Sequence, residues 1–233
     1  MKTIIEHLTN SEIEVTGRLV DASNATLFGS ATLEGESISI IYKPIAGERP
    51  LWDFPDGNLA QREYAAYLLS TLSSWNVVPP TVLRDGPFGL GMVQQWIDID
   101  ESIDLAILYR QDLPQLRKLA LFDAVINNTD RKIGHLLPDS DGQIFGCDHG
   151  VTFHSEDKLR TVLWQWADQE FTESEISELV SLQGILKATS EQFTKLITEE
   201  EFAALLERIE RLLLTKSFPT PSDEWPAVPW PPF

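Results

Sequence analysis

The chain has 233 residues, 42% of them hydrophobic and 23% charged, a composition typical of a globular protein large enough to bury a sizeable core. Its 18 Lys and Arg face 36 Asp and Glu, a formal charge of −18 that repels phosphate backbones and anionic headgroups, so nucleic acid and membrane surfaces are poor candidates as partners. The single cysteine, Cys147, excludes an intramolecular disulfide, and there is neither an export signal nor an apolar run long enough for a membrane span, so a cytoplasmic protein is expected.

In chain order, residues 13–20, 25–33 and 37–43 are rich in β-formers. Asp21-Ala22-Ser23-Asn24 and Glu34-Gly35-Glu36 separate them with turn composition, which predicts an antiparallel meander. After a loop with Gly47, Pro50, Pro55 and Gly57, the residues Leu59, Tyr64, Ala65, Leu68, Leu69 and Leu72 recur at helical spacing. Residues 77–83 and 90–97 read as two more strands, the first broken by Pro79-Pro80. The pattern then turns helical. A helix capped by Asp112, with Pro114 in its first turn, carries Leu116, Leu119, Ala120, Phe122 and Ile126 up to Asn127-Asn128. Residues 135–137 and 143–147 flank a turn at 138–142. Thr172 with Glu175 and Thr198 with Glu201 are capping-box pairs, the second opening an amphipathic helix through Phe202, Leu205, Ile209 and Leu212. Residues 217–233 hold six of the 14 prolines and two of the seven tryptophans. They predict an extended tail docked through its aromatics, the alternative being a free proline-rich ligand for a partner. Strands first and helices afterwards describe an α+β protein of two lobes sharing a cleft.

Lys43 ends the run Ile38-Ser39-Ile40-Ile41-Tyr42, where a charge is expensive. By position alone it reads as a strand-edge lysine snorkelling into water; with Glu63 on the following helix it reads as half of an ion pair, the arrangement by which protein kinases aim a lysine at nucleotide phosphates. The stronger signal is Asn127-Asn128-Thr129-Asp130-Arg131-Lys132-Ile133-Gly134-His135 after a helix, joined by a hairpin to Cys147-Asp148-His149-Gly150. Phosphoryl transfer needs one carboxylate near the acceptor hydroxyl and another that holds Mg²⁺, and Asp130 and Asp148 stand in the order and at the spacing for those roles. Read as turns in an acidic chain, either segment alone would be unremarkable; Lys43 and Glu63 ahead of them make chance the minority explanation.

Asn128-Thr129-Asp130-Arg131 and Asp148-His149-Gly150 resemble the catalytic and metal-binding motifs of the phosphatidylinositol 3-/4-kinase-like superfamily, which includes HipA-type Ser/Thr kinases. The chain as a whole, ending in Trp225-Pro226-Ala227-Val228-Pro229-Trp230-Pro231-Pro232-Phe233, is similar to a family of bacterial proteins assigned to that superfamily. The resemblance implies a bilobal kinase-like fold: a small antiparallel β lobe with one helix over residues 1–97, a mainly helical lobe over 98–216, and the tail 217–233. It implies ATP in the cleft, Lys43 on the α/β-phosphates with Glu63 as its partner, Asp130 as catalytic residue and Asp148 as metal ligand. By the same analogy Ser23 and Asn24 lie over the phosphates, and Val93, Gln94 and Gln95 form the hinge at the adenine, although Val93 also reads as strand core. The superfamily usually has Asn where this chain has His135, and often His where it has Lys132. His135 then becomes the second metal ligand, where an imidazole holds Mg²⁺ poorly: either one metal suffices, or a softer ion such as Mn²⁺ is used, or activity has been lost, while Lys132 stands either beside the transferred phosphoryl group or as a surface-loop lysine.

The expected function is an ATP- and metal-dependent kinase acting on a protein or small-molecule hydroxyl, the alternative being a catalytically silent kinase-like module that binds nucleotide or protein. A lipid kinase is opposed by the net charge, and transfer of a nucleotidyl group on the same fold stays open.

Overall fold

The computed structural model of the protein describes residues 3–19 and 24–233. A helix not anticipated from the sequence comes first: α1 (Ile4–Asn10), opened by a capping box in which Thr3 and Glu6 satisfy each other's backbone donors. The expected meander follows as β1 (Glu12–Arg18), β2 (Leu27–Leu33) and β3 (Glu36–Pro44). Glu34 and Gly35, at φ 55° and 88°, form the two-residue turn between β2 and β3, a backbone whose twist suits a tight hairpin.

The chain leaves the sheet through α2 (Leu59–Leu72), capped by Asn58, and returns as β4 (Thr81–Gly86) and β5 (Gly89–Gln95). The strand order is β1-β2-β3-β5-β4, antiparallel at every pairing, so β3 and β5 lie inside the sheet. β4 begins at Thr81 rather than 77, because Pro79 and Pro80 cannot donate to a ladder. Side chains alternate across the strands. Tyr42, Ile40, Ala31, Val82 and Val93 pack with Leu8 of α1, while their neighbour Lys43 turns to the opposite face and reaches α2.

The remaining chain is mainly helical: α3 (Leu105–Leu108), α4 (Pro114–Ile126), the hairpin β6 (Leu136–Pro138) and β7 (Ile144–Gly146), then α5 (Glu173–Ala188), α6 (Ser190–Phe193) and α7 (Glu199–Thr215). All but four of the residues of α4 are buried, as befits a helix surrounded by others, and it packs with Leu179, Leu182 and Leu186 of α5 and Leu205 and Ile209 of α7 in one core. Both capping boxes, at Thr172 and Thr198, form as expected. Asp112 does not cap α4: Leu113 holds that position, and the Asp112 carboxylate accepts from Trp166 Nε1 at 2.9 Å instead. Residues of the extended tail hydrogen-bond to the body, with Ile133 N donating to the Pro232 carbonyl at 2.8 Å and Trp164 Nε1 to the Ala227 carbonyl at 2.8 Å. Among the described residues, no helix is long and apolar enough to cross a membrane.

The architecture is thus α+β, a small antiparallel sheet lobe beside a helical part. Leu8, fully buried, is the main anchor of α1 on the sheet. Leu8→Ala should therefore lower the unfolding free energy by about 2–5 kcal/mol, read from the urea midpoint; an unchanged midpoint would mean that α1 does not belong to the core.

Candidate active site

The site begins at the end of α4. Asn127 closes the helix in a left-handed conformation, φ 52° and ψ 56°, and its amide donates to the His154 and Glu156 carbonyls and accepts from Lys158 N. One residue on, the Asn128 side chain bridges the Asp123 carboxylate and the amide of Asp130, fixing the turn that presents Asp130. Beneath it lies Arg131. Its guanidinium forks onto Asp123, at 3.0 Å from Nε to Oδ2 and 2.8 Å from Nη2 to Oδ1, with both side chains fully buried. The same guanidinium donates to the Cys147 carbonyl at 2.9 Å and lies 2.7 Å from His149 Nε2. Burial and the Arg131 charge hold the His149 imidazole well below its usual range, so the ring is neutral and can accept. Arg131 thereby ties the loop carrying Asp130 to the segment carrying Asp148.

Asp148 follows β7 in a left-handed conformation at φ 61°, an uncommon geometry for a non-glycine residue. It receives Lys43 Nζ at 2.7 Å, and the same ammonium lies 2.5 Å from Glu63 Oε1. The second Glu63 oxygen accepts from His149 N at 2.9 Å. Glu63 thus joins the strand lysine to the backbone beside Asp148. Burial works against the Lys43 charge, but Asp148 and Glu63 outweigh it and raise the lysine's pKa. Lys43 in turn holds the Asp148 carboxyl far below the usual carboxylate range.

Asp130, His135 and Asp148 each bring a donor atom to one place, all within 4.8 Å of one another. Two carboxylates and an imidazole suit a divalent cation. Burial pushes the His135 pKa down to about 4, so the ring is neutral near pH 7 and has a lone pair to give. Burial raises the Asp130 pKa, with the neighbouring Lys132, 3.2 Å away, pulling the other way. Cys147 has its thiol pushed up to about 12 by burial, which leaves it inert.

These residues line a cavity of about 620 Å³, in the size range of small-molecule sites. Lys43, Glu63, Asp130, Lys132, His135 and Asp148 are all in its wall, as is Asn24, whose side chain accepts from Arg49 N. Ser23 lies outside the described residues. Val93, Gln94 and Gln95 are not among the residues that line this cavity. They belong to an inner strand, where their backbone groups serve the ladders to β3 and β4; Val93 faces α1, and Gln94 Nε2 is spent on Thr81. The sequence reading passed over Arg131 as a structural element and did not single out Arg49, Trp52, Lys158 or Arg160, all but Arg131 in the cavity wall. A basic pair at Lys158 and Arg160 in so acidic a chain was the available signal.

No family profile matches the chain. Protein Rv2133c of Mycobacterium tuberculosis is 39% identical to it over 262 aligned positions, covering 97% of this chain and 94% of the relative. The chain belongs to the Rv2133c family. Among solved structures it resembles the Golgi casein kinase, with a TM-score of 0.57 and 14% identity over 91% of this chain and 73% of that one. The Helicobacter pylori proinflammatory kinase CtkA aligns over 90% of this chain and 94% of its own, at 13% identity and a TM-score of 0.48. The fold of this Rv2133c family member is therefore kinase-like, an assignment that rests on the casein kinase.

In this family member the Asp123–Arg131 pair supports the site from below. Asp123→Ala should cost about 3–5 kcal/mol of stability, as expected when one partner of a buried ion pair is removed. Urea denaturation checks this, and a loss under about 1 kcal/mol would show that the pair does not hold the loops.

Proposed function

We propose that this chain is an ATP- and divalent-metal-dependent phosphotransferase of the phosphatidylinositol 3-/4-kinase-like type, acting on the hydroxyl of a protein or small molecule. One observation carries the reading: Lys43 contacts Glu63 and Asp148 at once, beside the three-donor cluster. In kinases the strand lysine must pair with a helix glutamate while an aspartate holds the metal, and phosphoryl transfer proceeds only with both in place. Here both carboxylates converge on one ammonium. That supports catalysis over a silent nucleotide-binding module, since a degenerate site usually loses a metal or phosphate ligand.

In the reaction Lys43 neutralises the α/β-phosphates of ATP, with Glu63 fixing its direction. Asp148 and His135 would hold the divalent ion, which would supply charge neutralisation on the phosphates. Asp130, its pKa raised by burial, accepts the proton of the acceptor hydroxyl. The acceptor oxygen forms a bond to the γ-phosphorus as the bond to the β-phosphate oxygen breaks, and Lys132 stands near the charge spread over the transferred group. Asn24 and Thr26 offer polar side chains along the phosphates, where protein kinases use a Gly-rich loop.

Asp148→Ala should weaken metal-dependent ATP binding by about tenfold or more, measured by titration calorimetry with Mn²⁺ and Mg²⁺. Binding equal to the parent's would remove Asp148 from the metal site. A second test concerns His135. Imidazole is a better ligand for Mn²⁺ than for Mg²⁺, so turnover should be higher with Mn²⁺, and His135→Asn should shift the preference toward Mg²⁺. Intact-mass analysis after incubation with ATP and candidate acceptors separates phosphoryl from nucleotidyl transfer. Parent and variant that bind ATP yet stay inert with either metal would favour the silent module.

A further inference from the structure

Among the described residues five cations line the cavity: Lys43, Arg49, Lys132, Lys158 and Arg160. Three are committed to carboxylates, Lys43 to Glu63 and Asp148, Lys132 to Asp130, and Lys158 to Glu156. Arg49 and Arg160 are not. Among the described residues neither has a carboxylate within 4.0 Å, in a chain with twice as many acids as bases. Glu48, adjacent to Arg49 and also in the cavity wall, is turned away to cap the Leu59 and Ala60 amides.

Arg160 is held firmly. Its Nε donates to the Thr129 carbonyl at 2.7 Å, its amide donates to the Asn128 carbonyl at 2.9 Å, and its own carbonyl accepts from Arg131 N at 3.1 Å. Those bonds leave both terminal guanidinium nitrogens without a protein acceptor among the described residues, next to the residue proposed as catalytic. The Arg160 charge is among the groups that draw the Asp130 carboxyl down against its burial. Trp52 and Trp225, both in the cavity wall, flank the Lys158 ammonium at 5.7 and 4.7 Å from ring centre to Nζ, and Trp52 is largely exposed.

We infer that Arg49 and Arg160 form the anion-binding half of the acceptor subsite, and that the acceptor is a small hydroxylated molecule carrying a phosphate monoester. This rests on the phosphotransferase reading above. Two free guanidiniums match a dianion, and their planar forks suit phosphate oxygens better than a lysine does. With its anionic group on Arg160, such a molecule brings a hydroxyl a few bonds away toward Asp130. The cavity, about 620 Å³, is in the size range of a small ligand.

The test uses the full chain with Mn²⁺, with and without the non-hydrolysable analogue AMP-PNP. It is titrated calorimetrically with glycerol 3-phosphate, with glycerol and with a deca-glutamate peptide. Glycerol 3-phosphate should bind about tenfold or more tightly than glycerol, and Arg160→Gln and Arg49→Gln should each remove about tenfold of that affinity while AMP-PNP binding stays within about twofold. Arg49, on an exposed loop, keeps the test decisive should the Arg160 variant fail to fold. Equal binding of glycerol 3-phosphate to parent and variants overturns the inference. So does a parallel loss of AMP-PNP affinity, which would assign the arginines to the nucleotide, and so does arginine-dependent binding of the peptide alone. A parent that binds no AMP-PNP overturns the phosphotransferase reading instead; arginine-dependent binding of glycerol 3-phosphate to that chain would still support the anion site, and its absence would overturn it.

Discussion

The Arg131 guanidinium, buried beneath the cavity, is the joint on which the site depends. Placing it there costs several kcal/mol of desolvation, offset by a bidentate carboxylate, a backbone carbonyl and a neutral imidazole. Each partner comes from a different stretch of chain: Asp123 from α4, Cys147 from the end of the β-hairpin, His149 from the turn after it. No apolar side chain could replace it without leaving Asp123 charged and unpaired, so this interior polar network is a constraint on where Asp130 and Asp148 can stand.

A second joint runs through Glu63. It is almost fully buried and accepts from Lys43 on one oxygen and from His149 N on the other. Burial raises its pKa, and Lys43 works against that rise. Its carboxylate is anchored by contacts reaching both the sheet and the segment beside Asp148. Sheet, helix α2 and the Asp148 turn therefore meet at one side chain. Half of the Asp148 carboxylate remains open to the cavity despite the nearby lysine, which is the exposure a metal ligand requires.

Much of this was legible in the sequence where the signal was local. The hairpin turn at Glu34-Gly35, the helix from Leu59, and the capping boxes at Thr172 and Thr198 all follow from spacing within a few residues. The order Lys43, Glu63, Asp130, Asp148 pointed to the residues that meet in space, because a kinase-like fold brings segments in that order to one cleft. Helix α1 escaped, although Thr3 and Glu6 carry the same capping pattern, since the segment was read only for export. Alternation along β5 decides which face a residue takes, and it sends Val93 to the side of α1. The Asp123–Arg131 fork and the free guanidiniums of Arg49 and Arg160 depend on contacts between distant segments, which no local pattern encodes.

Gly146 closes β7 immediately beside the buried guanidinium. A Cβ there would stand 2.9 Å from two of the Arg131 nitrogens and 3.0 Å from a Leu119 methyl. An arginine tip in solvent would simply swing aside, but this one is clamped by Asp123, Cys147 and His149 and has nowhere to go. The two positions are thus linked as lock and clearance. Along any lineage of such chains, a side chain can enter position 146 only after position 131 has shrunk, and a shrunken 131 strands the Asp123 charge, so the glycine, the arginine and the aspartate must drift together or not at all.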